Sequence, residues 1–516
     1  MTTDTVSTAS GPVRGVVRDR MRCFLGIPFA QPPVGDLRWR PPVPVAPWTD
    51  VLDADAFGGH CAQDSSCFPG FGRASSSEDC LYLNVFTPDG PRDEPLPVMV
   101  WIPGGGLFIG GSADYDPSAL VTQGEVVVVS VNYRLNVFGF FSHPAINAEG
   151  HEAGNYGLMD QQLALRWVQD NIGAFGGDPR RVTLFGESAG AQSVGVHLGS
   201  PRSAGLFQQA IMQSGATTPV IDLPTLSATE EVGIALAKAA GCEDQTPESL
   251  RAIPTGDLVA ANAMPPGVFG TGQFQIGFVE DGEVIPTGMR QRFVDGDFNK
   301  VPVINGTNAD EFTWFMAMSE LVTGQSLEPA PYEMVVGPML AEIANWGLLG
   351  ARVPDESQAE LLERYPLATR QGTSNAIAAV ISDGLISVIA RTTRLIAEHV
   401  PQTYAYEFDV PSAPVPWKDV SFAYLSGHTQ ELQFLFPGFC GGEGESNPLT
   451  EEQQALADQM VRYWTSFARH GQPAGWSAYD PARDNAMLLT TSGPQEIERW
   501  RERHQVDFCD RHYTGT

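Results

Sequence analysis

Two short, β-branched and nearly continuous apolar runs constrain this chain more than any other feature: Leu96-Pro-Val-Met-Val-Trp-Ile102 and Val126-Val-Val-Val-Ser-Val-Asn-Tyr133. They lack the in–out alternation of a half-solvated sheet, so each reads as a strand buried on both faces, a place that parallel sheets provide. From Gly157 to Ile172 the period changes. Leu158, Leu165, Val168 and Ile172, with Trp167 alongside, lay an apolar stripe along one face of a helix. Arg181 to Phe185 reads as a strand again, the segment after Ser188 as a helix, and Phe207 to Gln213 as the next strand. Strand, helix, strand, helix in sequence folds with right-handed crossovers, giving an α/β protein with a large, mostly parallel central sheet flanked by helices.

The rest of the chain is expected to decorate that sheet. The first ninety residues, broken by Gln31-Pro-Pro-Val-Gly and Arg40-Pro-Pro-Val-Pro, predict short strands and extended turns. Beyond Pro219 the alternation gives way to helical stretches such as Thr229 to Ala240 and Asn375 to His399, so residues roughly 219–300 and 312–400 read as helical insertions forming a cap over the C-terminal edge of the sheet. Strand texture returns at Val301 to Asn305 and Thr403 to Phe408, and the capping-box pattern Thr450-Glu-Glu-Gln opens a long helix that runs to about His470. Without a repeat, a low-complexity tract or a linker, residues 1–516 read as one domain.

Composition excludes several classes of function. With 61 acidic against 31 basic residues the formal charge is −30, which repels nucleic-acid phosphates and anionic lipid surfaces alike. No acidic run falls in the motif segments described below, so the charge reads as solvation of a large surface. No apolar run approaches the roughly 20 residues that span a bilayer. The N-terminal residues lack an apolar core and basic flank, which predicts a cytoplasmic protein, or a secreted one had a signal been removed. The seven cysteines are too scattered for a paired metal site, and a dinucleotide fingerprint fails because Gly104 and Gly106 are followed by Ile109 where a glycine is needed. No cofactor and no metal are expected.

The sharpest chemical signal is Gly186-Glu187-Ser188-Ala189-Gly190. It directly follows a strand and precedes a helix, the setting in which glycines permit a turn sharp enough to project a serine hydroxyl from the sheet edge. Acyl transfer through serine also needs N–H donors where the oxyanion develops. Gly105 and Gly106, in the Gly104-Gly-Gly106 triplet after the first run, and Ala189 after the serine, are the natural candidates. If the chain order is serine, acid, histidine, His399, His428, His470, His504 and His512 lie late enough to be the base. His399 and His470 fall near helix ends, and His504 and His512 fall in a charged tail. His428 follows a glycine in a loop after the strand Thr403 to Phe408. The segment Asn305 to Glu311 sits just past a strand C-terminus, where catalytic groups of α/β sheets gather; spacing leaves Asp310 and Glu311 both open as the acid.

Together these segments resemble the type-B carboxylesterase and cholinesterase-like family of α/β-hydrolases. The likeness is carried by Phe24 to Ala30, Pro32 to Arg38, Ser77-Glu-Asp-Cys-Leu-Tyr-Leu-Asn84, the glycine triplet, Asn155 to Gln161, Phe185 to Gly190, Gln213-Ser-Gly215, Asn308 to Glu311 and Gly427-His428, in family order along nearly the whole chain. The resemblance implies that Glu311 is the acid and His428 the base, that Cys61 and Cys80 form a disulfide, and that Arg38 pairs with Glu78. It implies a serine carboxylesterase acting through an acyl-serine on small to medium uncharged alkyl or aryl esters; the expected partner is the small-molecule ester, with no nucleic acid and no membrane, and the protein is expected to be a monomer or weak homo-oligomer. Glu187 would support the imidazolium, and the acyl pocket would lie near Gly272 to Phe278, with Gly272 and Phe274 as lining residues. Carbamate hydrolysis or acyl transfer by the same triad is the alternative, and a non-catalytic binding module a remote one. Two departures stand out: Pro103 and Leu107 flank the glycine triplet where many relatives carry His and an aromatic residue, and no tryptophan lies between Cys61 and Cys80, where Phe68 and Phe71 are the aromatics. The second argues against choline esters.

Overall fold

A computed structural model describes residues 3–263, 274–328, 330–344, 358–370 and 372–512. One mixed sheet of thirteen strands runs through the molecule. In chain order the strands are β1 (Thr3–Ser7), β2 (Pro12–Arg18), β3 (Met21–Pro28), β4 (Leu52–Asp53), β5 (Tyr82–Pro88), β6 (Leu96–Ile102), β7 (Val127–Val131), β8 (Gly177–Glu187), β9 (Gln209–Gln213), β10 (Val303–Asn308), β11 (Thr403–Phe408), β12 (Ala486–Leu489) and β13 (Gln495–Ile497). Their spatial order is β1-β2-β3-β5-β7-β6-β8-β9-β10-β11-β12-β13, with β4 beside β2. From β7 to β12 neighbours are parallel, as the apolar runs predict. The N-terminal edge is antiparallel because β2 returns into β3 through Asp19 and Arg20, both at positive φ, the backbone of a tight hairpin.

Strand β6 shows why both faces must be covered. Val98, Val100 and Ile102 point into one core with Leu158, Leu165 and Val194, while Met99 and Trp101 point into another with Leu456, Met460 and Trp464. Helices Tyr156–Asn171 and Ala189–Gly199 cover the first face, and Glu451–His470 covers the second. The last begins with the predicted capping box, Thr450 accepting from the Gln453 N–H and the Gln453 side chain from that of Thr450.

The expected insertions do carry helices: Leu226–Ala239, Pro247–Ala252, Thr255–Ala261 and Met289–Val294 in one, and Phe312–Thr323, Tyr332–Ala344, Gln358–Arg364 and Thr373–Ala397 in the other. Helix Thr373–Ala397 corrects one expectation, since its 25 residues are long and apolar enough by length and composition to cross a membrane. Its apolar stretch is wholly buried inside the fold, so it is a core helix. The disulfide joins Cys61 and Cys80. Arg38 pairs with Glu78 (Nε–Oε2 2.8 Å) and donates to the Ile253 carbonyl (2.6 Å), tying the N-terminal segment to the first insertion.

Candidate active site

The site is built on the C-terminal ends of β6, β8 and β10, with His428 brought in by the long loop that follows β11. Ser188 follows β8 at φ 56° and ψ −124°, a backbone strained for a residue with a side chain, and its N–H is held by the Gln213 carbonyl at 2.8 Å. The helix beginning at Ala189 packs so closely on β6 that a Cβ on Gly190 would lie 2.1 Å from the Ile102 carbonyl oxygen, so only glycine fits there. Beside the elbow runs the glycine loop. Gly105, at φ +107°, accepts from the N–H groups of Phe108 (3.1 Å) and Ile109 (3.0 Å), which closes the loop into a tight turn. The two departures at its ends find their support in the segment after β7: the Tyr133 hydroxyl donates to the Pro103 carbonyl (2.9 Å), and the Asn136 N–H to that of Leu107 (2.7 Å).

The geometry separates the two candidate acids. Glu311 Oε2 lies 2.6 Å from His428 Nδ1, and Glu311 Oε1 accepts from the Thr307 hydroxyl (2.7 Å) and the Asn308 N–H (2.8 Å). Asp310 turns to the neighbouring loop instead, accepting from the Ser426 N–H at 3.3 Å. His428 is fully buried apart from the wall it presents to a cavity of about 330 Å³. Ser188, Ala189, Gly105 and Gly106 line the same cavity. Its walls are largely apolar and include the aromatic residues Phe68 and Phe71 from the disulfide-closed loop, then Phe108, Phe278, Phe312, Trp314 and Phe315, the last with its ring centroid 5.0 Å from that of His428. The expected acyl segment contributes Gln275 to Phe278. Phe274 packs against the core behind that wall, its N–H held by Asn262 Oδ1 at 2.8 Å, and Gly272 lies outside the described residues.

Residues 2–509 match the carboxylesterase family. The chain belongs to that family. It is 37% identical over 500 residues to the acylcarnitine hydrolase of Mus musculus, covering 90% of this chain and 83% of that protein. The para-nitrobenzyl esterase of Bacillus subtilis is 32% identical over 98% of this chain and 99% of its own. A solved PNB esterase superposes with a TM-score of 0.78 at 31% identity, covering 98% of this chain and 100% of that one. A Geobacillus stearothermophilus carboxylesterase gives 0.79 at 30% identity, over 97% and 99% of the two chains. The sheet and its flanking helices are those of an α/β-hydrolase, and the protein is a carboxylesterase, hydrolysing carboxylic ester bonds.

Around the imidazole of this carboxylesterase stand three buried carboxyl groups. Besides Glu311, Glu187 Oε1 lies 3.1 Å from His428 Nε2, close but without the alignment of a hydrogen bond. The third, Glu431, accepts from Asn308 Nδ2 (2.7 Å) and Gln213 Nε2 (3.2 Å), while Gln213 Oε1 accepts from the Trp464 indole N–H at 3.0 Å. Burial alone would lower the pKa of His428, but Glu187, Glu311 and Glu431 outweigh it and push it up to about 9. Burial raises Glu431, and lifts Glu187 well above its ordinary value, and their neighbouring carboxylates add to it. Of the supporting set Glu431, Asn308 and Gln213, the last two fall in segments that carry the family resemblance, but nothing in the sequence marks Glu431. Glu431 lies in the turn Gln430–Phe434, just past His428 and Thr429.

Proposed function

We propose that this carboxylesterase cleaves small to medium, uncharged alkyl or aryl esters through an acyl intermediate on Ser188. The observation that carries the reading is the buried His428–Glu311 hydrogen bond on the wall of a cavity that Ser188 also lines. Ser188 attacks the ester carbonyl as His428 takes its proton; Glu311 holds the imidazole with Nδ1–H toward itself and stabilises the imidazolium as it forms. The oxyanion is received by the N–H groups of Gly105, Gly106 and Ala189. His428 then protonates the departing alcohol, and water repeats the sequence to free the acid. Glu187, next to Nε2, adds negative charge beside the imidazolium. A cavity of about 330 Å³ with largely apolar walls suits uncharged esters of small to medium size. The para-nitrobenzyl esterase among its relatives points the same way.

The test is pre-steady-state hydrolysis of p-nitrophenyl esters. A burst of nitrophenol equal to the enzyme concentration, absent in Ser188→Ala, with initial rates falling from short to long acyl chains, is expected. Nitrophenol release that Ser188→Ala leaves unchanged, or a preference for long-chain emulsions, would contradict the reading.

A further inference from the structure

The cavity is one-sided in charge. Among the described residues its ionisable lining groups are Glu187, His428 and Asp222, and no Lys or Arg lines it. The buried end gathers three carboxyl groups about one imidazole. The rim differs. Asp222 leaves 74% of its side chain exposed and is met by a single cation, the Nε of Arg290 at 2.8 Å from its Oδ1, itself 45% exposed. Arg290 stands in the first turn of helix Met289–Val294, whose start is fixed by Glu280 accepting from the N–H groups of Gly288 (2.8 Å) and Met289 (2.9 Å). The rim pair is thus held by the fold but open to solvent.

We propose that the cavity selects esters by charge, rejecting acyl or alcohol parts that carry a carboxylate, and that the Asp222–Arg290 pair keeps the rim neutral so that uncharged esters outcompete cationic ones. This rests on the esterase reading above and sharpens its substrate class. An anionic group entering the cavity leaves water for a space lined by no Lys or Arg, whose one imidazole is already flanked by the Glu311 and Glu187 carboxyl groups, and it faces Asp222 at the rim, so it forfeits hydration without a free counter-charge. A cationic group would gain from Asp222, but Arg290 cancels most of that field. Because an exposed pair of this kind contributes little to stability, its members can be changed without unfolding the protein.

Three p-nitrophenyl esters of matched length serve as probes: valerate, hydrogen glutarate and γ-trimethylammoniobutyrate. They share a leaving group and differ at the acyl end in charge. At low salt kcat/KM for the glutarate is expected to be at least about tenfold below that for the valerate. Arg290→Gln should raise the ratio of cationic to neutral ester by about threefold while leaving the valerate unchanged. Adding Asp222→Asn to Arg290→Gln should cancel the gain, which a simple widening of the rim would not do. These differences should shrink in about 1 M salt, where screening reaches within a few ångströms. Glutarate turnover within twofold of valerate, or ratios that ignore both substitutions, would overturn the proposal. Failure of the wild-type protein to hydrolyse the valerate would instead overturn the esterase reading beneath it.

Discussion

His428 and His504 occupy similar electrostatic surroundings. Each is buried, and each has a carboxylate oxygen beside both ring nitrogens: Glu311 and Glu187 for His428, Asp383 (2.8 Å) and Glu407 (2.7 Å) for His504. In each case burial lowers the pKa and the carboxylates overcome it, raising His428 to about 9 and His504 to about 10. What differs is completeness. Both nitrogens of His504 are hydrogen-bonded, and its partners are themselves satisfied, Asp383 by the Tyr365 hydroxyl and Glu407 by Trp500 and Arg503. His428 has one well-formed bond, on Nδ1, and its other nitrogen sits in a loose contact beside the cavity. A raised pKa and deep burial therefore do not mark a base; an unfinished hydrogen-bond set facing open space does.

Substitution can break this contrast in four ways. Ser188→Ala or His428→Ala is expected to lower kcat by about a million-fold, and the double variant to be no worse than either, because the pair acts as a unit; steady-state rates on p-nitrophenyl butyrate measure this. Glu311→Gln should cost about ten-thousand-fold, since an amide in that position fails to hold the imidazole tautomer or stabilise its charge. His504→Ala should leave the kcat of the folded protein intact but strip the counter-charge from Asp383 and Glu407, a loss of about 3–5 kcal/mol by urea titration. His504 is raised in the fold from an ordinary 6.5 to about 10. Its stabilisation is therefore fully present below the lower value and lost as pH rises through the upper one. The gap between wild type and variant should narrow over that alkaline window.

Glu187→Gln gives the smallest effect. His428 acts as a base only when neutral, so kcat/KM rises with pH toward its raised pKa. Removing one of the carboxylates that raise it should shift the acid limb of the profile to lower pH by roughly one unit. An unmoved limb would mean that Glu187 carries its own proton throughout.

Much of this arrangement was legible in the sequence because its signals are local. The strands Leu96–Ile102 and Thr403–Phe408 were read to the residue, and the capping box fixed the start of the helix that follows Thr450. Glu311 and Asp310 could not be separated by spacing, since adjacent residues differ only in which loop their side chains meet, and that depends on His428 and Ser426, more than a hundred residues later. His504 reads in sequence as part of a charged tail, but the fold buries it. Among Arg501, Glu502 and Arg503 it looks solvated, and its burial is set by Asp383 and Glu407, 121 and 97 residues earlier in the chain. Glu431 was passed over for the same reason: a glutamate in a polar loop reads as surface until Asn308 and Gln213 close over it. Phe274 shows a different limit. Aromatic residues alternating with glycine mark a wall without saying which residue faces the cavity, and Gln275 to Phe278 take that place.

The central claim, that His428 and not His504 activates Ser188, is tested most directly by reacting the protein with a fluorophosphonate and locating the adduct by peptide mass spectrometry. Labelling of Ser188 in wild type and in His504→Ala at comparable rates, with labelling nearly abolished in His428→Ala, is the predicted result. An adduct on another residue, or Ser188 labelling that survives loss of His428 and fails with loss of His504, would contradict it.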